Sequence, residues 1–310
     1  MFRALDRKSG SVVWETQAGP GSGQYFFHGD PLITANVVIV GADDAARVGN
    51  IHAFDRATGR ERWRVPAGHG VNSAIVGLGR RAYAATLQGE LVSLDVESGE
   101  ARWRLPLKVP TWESTAAVAG HVFAGTVDGS LYALNAETGK EEWRVSLGAP
   151  VTTSIDASES AVYVGAANGT IYRINPQSGA VLSSRKLDDQ LRPRSSLVPT
   201  KNSLLVLLAD AGADDRALVS VDPNLDKVHW RQTATTHWDT SRVFVWGDLA
   251  VIGAPSGEVV AYCAADGSRV WSQSVAGSIR AIGGSEDTLY VGVRQGSLYA
   301  LRPPKACDVK

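Results

Sequence analysis

Cysteine is nearly missing from this sequence: two residues in 310, Cys263 and Cys307, cannot supply a disulfide framework or a multi-cysteine metal site. On that count the compartment stays open. No uninterrupted apolar run reaches the ~18 residues of a membrane-spanning helix. The opening Met1-Phe2-Arg3-Ala4-Leu5-Asp6-Arg7-Lys8 reads as neither a signal peptide nor an anchor. Net charge is almost absent too. With 31 Lys and Arg against 32 Asp and Glu, nothing in the bulk electrostatics draws the chain to nucleic acid or to an anionic membrane. No His-Glu-x-x-His, calcium loop or Gly-x-Ser-x-Gly occurs, and the six histidines show no ligand spacing. The glycine run Gly19-Pro20-Gly21-Ser22-Gly23 leads into nothing helical, so it is read as a connection and not as a phosphate loop. No stretch keeps a helical period. At 44% hydrophobic and 20% charged residues, the chain has the composition of a globular protein with a large core.

What is present is a repeat. In Ser130 to Gly148 the alternation of Leu131, Ala133 and Asn135 with Tyr132 and Leu134 predicts a strand, Asn135 to Gly139 a turn, and Glu142 to Leu147 a second strand. Gly139 suits a turn position of positive φ, and Asn135 can bond the turn backbone through its short side chain. The same spacing returns as Asp6, Gly10, Trp14; Asp55, Gly59, Trp63; Asp95, Gly99, Trp103; Asn135, Gly139, Trp143; and Asn175, Gly179 with Ser183 in the Trp place. Weaker copies are Asp222, Asp226, Trp230 and Cys263, Gly267, Trp271. Internal repeats of this period signal solenoids, propellers or arrays.

Between the hairpins lie apolar strands ending in Asp128-Gly129, Asn168-Gly169, Ser256-Gly257 and Gln295-Gly296, and ahead of each another short strand. One unit is therefore four antiparallel strands, a to d, which repeated radially make a β-propeller blade. The fold class expected is all-β: a single propeller domain over 1–310 with seven blades, or eight if the chain is N-terminally truncated. The chain starts at a c strand, Phe2 to Leu5, and its last blade lacks a d strand after Leu301. Closure is expected through an N-terminal strand that completes the C-terminal blade and removes an exposed edge.

Ala133-Leu134-Asn135-Ala136-Glu137-Thr138-Gly139-Lys140-Glu141-Glu142-Trp143 and its sister segments resemble the tryptophan-docking repeats of the PQQ-like propeller family, closest in type to BamB, the propeller protein of outer-membrane β-barrel assembly. The match spans nearly the whole chain and speaks for fold; one fold hosts many functions. Quinoprotein dehydrogenases of that family stack PQQ beneath adjacent cysteines and bind calcium with Glu, Asn and Asp. Cys263 and Cys307 lie far apart in sequence and cannot form that pair. No catalytic residue, metal site or cofactor is therefore expected. The resemblance implies a non-catalytic cell-envelope or periplasmic scaffold, with the barrel-assembly channel protein as its candidate partner. A PQQ-dependent dehydrogenase and a ligand-sensing domain of a larger receptor or kinase stay open as alternatives. No nucleic acid and no membrane span are expected, and a monomer is the default.

The repeat residues Trp14, Trp63, Trp103, Trp143, Trp230 and Trp271 are read as blade-to-blade packing with the indole N–H near a backbone acceptor. Gly59, Gly99, Gly139, Gly179 and Gly267 are read as turn chemistry. For binding, the d-to-a loops stand out, because loops carry function and they are dense in aromatic and charged residues the repeat does not require. The candidate channel rim is Phe27, His28, His69, Trp112, Glu113, Arg192, Arg194, His237, Trp238 and Asp239. The competing reading is that these side chains merely plug the channel mouth.

Overall fold

The computed structural model describes residues 2–17, 25–27, 29–44, 48–71, 73–210, 215–234, 242–304 and 306–307. They form thirty β-strands and no helix. The unit read at Ser130 to Gly148 sits in a four-stranded antiparallel sheet of Thr111–Val118, His121–Thr126, Ser130–Asn135 and Glu141–Ser146, in that order. These are its a, b, c and d strands. The b and c strands are buried on both faces; the successive residues Val122 and Phe123, and Ala133 and Leu134, are all shut off from solvent. That is why the b strands read as apolar runs rather than alternating patterns. The d strand alternates exposed and half-buried positions, placing Glu141 and Arg144 outward and Trp143 and Val145 inward.

The sheets span 25–66, 76–106, 111–146, 156–186, 192–234, 244–274 and 279–301, and the architecture is that of a seven-bladed β-propeller. In the first blade the a strand is broken in two, Tyr25–Phe27 and Leu32–Ile33, both pairing with Val37–Asp44. The last blade holds only Ile279–Gly284, Leu289–Val293 and Leu298–Leu301. Here the expected closure is corrected. Among the described residues, Phe2–Leu5 is hydrogen-bonded to Val12–Thr16 in a two-stranded sheet of its own, and the last blade has no fourth strand. The reason is local. Asp6 ties the turn of that hairpin through Lys8 N, Ser9 N and Ser9 Oγ, and a short loop closes at lower entropic cost than a pairing across the chain.

Every c–d pair carries the same register shift, between Ala4/Leu5, Ala53/Phe54, Ser93/Leu94, Ala133/Leu134, Arg173/Ile174, Ser220/Val221 and Ala261/Tyr262. The recurring β-bulge follows from the turn. Asn135 N donates to Lys140 O, Gly139 N to Asn135 O, and the Asn135 side-chain oxygen accepts from Glu137 N and Thr138 N. The described chain forms two compact units. One comprises Met1–Val151, Ala157–Ala161 and Pro176–Ala180; the other Thr152–Asp156, Val162–Asn175 and Val181–Lys310. The first has a core of Val37, Ile39, Ile51, Val92 and Leu94, and the second has one of Leu205, Leu207, Leu218, Ala250 and Ile252.

Candidate functional site

The repeat tryptophans form a docking series. Trp14 Nε1 donates to Arg56 O, Trp63 to Val96 O, Trp103 to Ala136 O, Trp143 to Pro176 O, Trp230 to Ala264 O and Trp271 to Pro304 O, at 2.9 to 3.1 Å. Each acceptor is the residue after the turn's Asp or Asn place, one blade further along. Three residues beyond the acceptor stands the glycine, except after Pro304, where Cys307 holds that place. A Cβ on Gly59 would come within 2.5 Å of the Trp14 ring, and on Gly99, Gly139 and Gly267 within 2.6 Å of Trp63, Trp103 and Trp230. Turn chemistry, the reading from sequence, is half of the explanation. The other half is the indole of the preceding blade, which leaves no room for a side chain. Opposite each Trp across the c–d pair stands a small residue: Ala4, Ala53, Ser93, Ala133, Ser220 or Ala261.

At the fourth blade all of these places change together. Ser183 replaces the Trp, Arg173 replaces its small cross-strand partner, and Asp226 replaces the glycine of the turn that would receive it. Tyr163 Oη then donates to Pro223 O at 2.8 Å, taking the acceptor a Trp would use. Arg185, in a place held elsewhere by Val65, Leu105 and Val145, donates to Leu225 O and Asp226 O at 3.1 and 2.7 Å. Burial pushes the Tyr163 hydroxyl up, while Arg173 beside it pulls it back. With no indole to avoid, the turn drops its glycine and puts Leu225 at φ 68° instead. The sequence signal for this polar junction was Ser183 and Asp226 in the Trp and Gly places.

The proposed rim residues divide between the two units. Phe27 ends the Tyr25–Phe27 strand, half-buried, its ring 5.5 Å from Phe2 and packed with Val40 and Phe54. His69 is exposed and Trp112 and Glu113 lie on Thr111–Val118, all in the first unit. In the second, Arg192 is half-buried and donates to Asp189 O at 3.0 Å, and Arg194 is exposed. His28, His237, Trp238 and Asp239 lie outside the described residues.

Elsewhere the titratable groups serve the frame. The Arg62 guanidinium and Thr58 hold Asp55 down to about 2; Ser98 backbone and Arg102 do the same for Asp95. His52 Nδ1 meets Glu61 at 2.7 Å between the adjacent c and d strands of the first blade, and His121 Nε2 on the b strand of the third blade meets Glu142 on its d strand at 2.7 Å, across the c strand. Asp156 differs: burial alone raises its carboxyl to about 6. Among the described residues no three His, Cys, Asp or Glu side chains gather as metal ligands, and no helix is long and apolar enough to cross a membrane. The two cysteines, whose role the sequence left open, are joined as Cys263–Cys307 with Cα atoms 5.4 Å apart.

No curated protein matches the chain in sequence. In structure it is similar to BamB from Moraxella catarrhalis, with a TM-score of 0.76 at 18% identity over 94% of this chain and 86% of that one. It is also similar to the quinohemoprotein alcohol dehydrogenase from Comamonas testosteroni, with a TM-score of 0.76 at 14% identity over 94% of this chain and 67% of that one. The computationally designed Ika8 protein aligns with a TM-score of 0.65 at 15% identity, over 91% and 98% of the two chains. At such identities these likenesses speak for the propeller fold alone. The sequence profile of the outer membrane protein assembly factor BamB matches residues 2–111, 47–206 and 213–304, and with nearly all its blades so covered the chain belongs to that family.

Proposed function

We propose that the chain is a non-catalytic, protein-binding scaffold of the cell envelope that assists outer-membrane protein assembly. The observation that carries this reading is the family profile, which covers 2–206 and 213–304 without favouring one segment. Two features of the molecule agree with it. Among the described residues, Asp55, Asp95, Glu61 and Glu142 are engaged in turns and ion pairs, and the repeat tryptophans in blade docking. The Cys263–Cys307 bond, moreover, is of a kind that persists in oxidising compartments, which supports a periplasmic setting. The binding residues are assigned to the d-to-a connections and the a strands they lead into: Phe27, His28, His69, Trp112, Glu113, Arg192, Arg194, His237, Trp238 and Asp239, with a barrel-assembly protein as partner.

The test is crosslinked affinity capture from a membrane-containing extract, run beside the double variant Trp112→Ala/Trp238→Ala. Recovery of an outer-membrane assembly protein that is lost with the variant is the expected result; equal recovery with both proteins removes the loop face. The dehydrogenase reading has the Comamonas likeness in its favour. Against it, Cys263 and Cys307 pair across 44 positions, so the adjacent-cysteine arrangement over a quinone does not fit this chain. Stoichiometric binding of PQQ with calcium, together with bleaching of a dye acceptor by an alcohol, would reinstate it.

A further inference from the structure

The docking series runs past its last complete turn. Trp271, on the d strand Arg269–Ser274 of the sixth blade, donates to Pro304 O at 2.9 Å, as the other tryptophans donate into the next turn. In the intact turns the glycine stands three positions after the acceptor: Ala136 and Gly139, Ala264 and Gly267. Three positions after Pro304 stands Cys307, and its disulfide partner Cys263 holds the Asp/Asn place of the sixth blade's own turn. The segment carrying Pro304 and Cys307 thus occupies the position of a docking turn without being one. A true turn is held on both sides by paired c and d strands. This segment is preceded by the c strand Leu298–Leu301 and followed by no strand among the described residues.

What holds it is correspondingly sparse. Pro303 and Pro304 carry no N–H to donate to a ladder. Arg302, Pro304 and Ala306 are exposed, and the Arg302 Nε to Thr288 Oγ1 contact is long at 3.5 Å. Against this, Cys307 packs on the sixth and seventh blades' apolar cluster with Trp246, Leu249 and Leu289, and Trp271 packs on the same cluster. We infer that the Cys263–Cys307 disulfide is a redox latch: oxidised, it keeps the segment seated under Trp271; reduced, it lets the segment leave and uncovers that indole. Among the described residues, its leaving requires no strand to unpair.

The two sulfurs differ in access. Cys263 is 1% exposed, whereas Cys307 is half-buried, so a dithiol reductant reaches Cys307 Sγ first. Its thiolate forms a mixed disulfide there and Cys263 leaves as the thiolate. The second thiol of the reductant then displaces Cys307 and closes the reductant's own disulfide. Two electrons and two protons pass to the protein, which ends with two thiols. In the disulfide Cys307 Sγ lies 3.4 Å from Asp248 O; only once reduced does it carry an S–H, a weak donor, to offer there.

The experiment is native-state hydrogen exchange followed by mass spectrometry on the oxidised protein, the dithiothreitol-reduced protein and the Cys307→Ser variant. Peptides covering 264–274 are expected to exchange about tenfold faster or more on reduction, a rise in local opening by the same factor. Peptides covering 111–146 should not change. Cys307→Ser should match the reduced protein whether or not dithiothreitol is present, and reoxidation of the wild type should restore protection. Unchanged exchange at 264–274 in protein whose mass shows both thiols free would overturn the latch. So would an equal rise across 111–146, since the bond would then staple the whole fold and not one segment.

Discussion

At the scale of single residues, the docking glycines carry two constraints that substitution can separate. Gly139 has φ 69° and a Cβ there would stand 2.6 Å from Trp103; Gly10 has φ 71° and would meet nothing within 4 Å. Alanine at Gly10 should therefore cost only the left-handed backbone, about 1–2 kcal/mol, whereas alanine at Gly139 adds overpacking for a total of about 2–5 kcal/mol. Paired denaturant titrations check this, and equal losses at the two sites would refute the indole's part. Asp156 gives a pH prediction. Its folded carboxyl holds a proton up to about 6, against an ordinary value of 3.8, because burial disfavours the charge. Between those values the folded state binds the additional proton, so stability is intact below about pH 4 and falls as pH rises to 6, by on the order of 1 kcal/mol after screening. Asp156→Asn should flatten that slope in thermal melts recorded between pH 4 and 6; an unchanged slope would show that another group produces it.

At the scale of elements, the junction after the fourth blade behaves as one substituted unit. Ser183→Trp alone places an indole against Asp226 and Arg173 and should destabilise; Ser183→Trp with Arg173→Ala and Asp226→Gly restores the small-residue, Trp and Gly set of the other blades. The triple variant is expected to recover most of the loss, with a coupling of about 1 kcal/mol or more in a mutant cycle read by denaturation. Strict additivity would mean that the places are independent. This junction also marks where sequence reading reached its limit. The Asp-to-Gly turns and their strands were legible because a bulged hairpin is specified locally by an Asx oxygen and a positive φ. That Tyr163 and Arg185 take over the missing bonds was not, because their partners Pro223, Leu225 and Asp226 lie about 40 to 60 residues away and only the fold brings them close.

For the whole molecule, the forty-residue spacing of Trp63, Trp103 and Trp143 was enough to give the class of fold, since a blade repeated at fixed intervals leaves few other architectures. The ends were less legible. Hairpin competition decided the fate of Phe2–Leu5, and the segment after Leu301 imitates a turn with Cys307 where the pattern would have glycine. Of the proposed rim, Phe27 has a place in an aromatic cluster with Phe2 and Phe54 that its neighbours in sequence did not signal.

The docking series has a consequence for the order in which the protein is made. Each indole finds its carbonyl further along the chain, 33 positions on for Trp63, Trp103, Trp143 and Trp271, 34 for Trp230 and 42 for Trp14. A blade emerging from the ribosome, or from a membrane pore, therefore leaves its Trp uncovered until the following turn has appeared. Each new turn then supplies the acceptor that caps the blade before it, except after the fourth blade, where Tyr163 and Arg185 take the carbonyls in place of an indole.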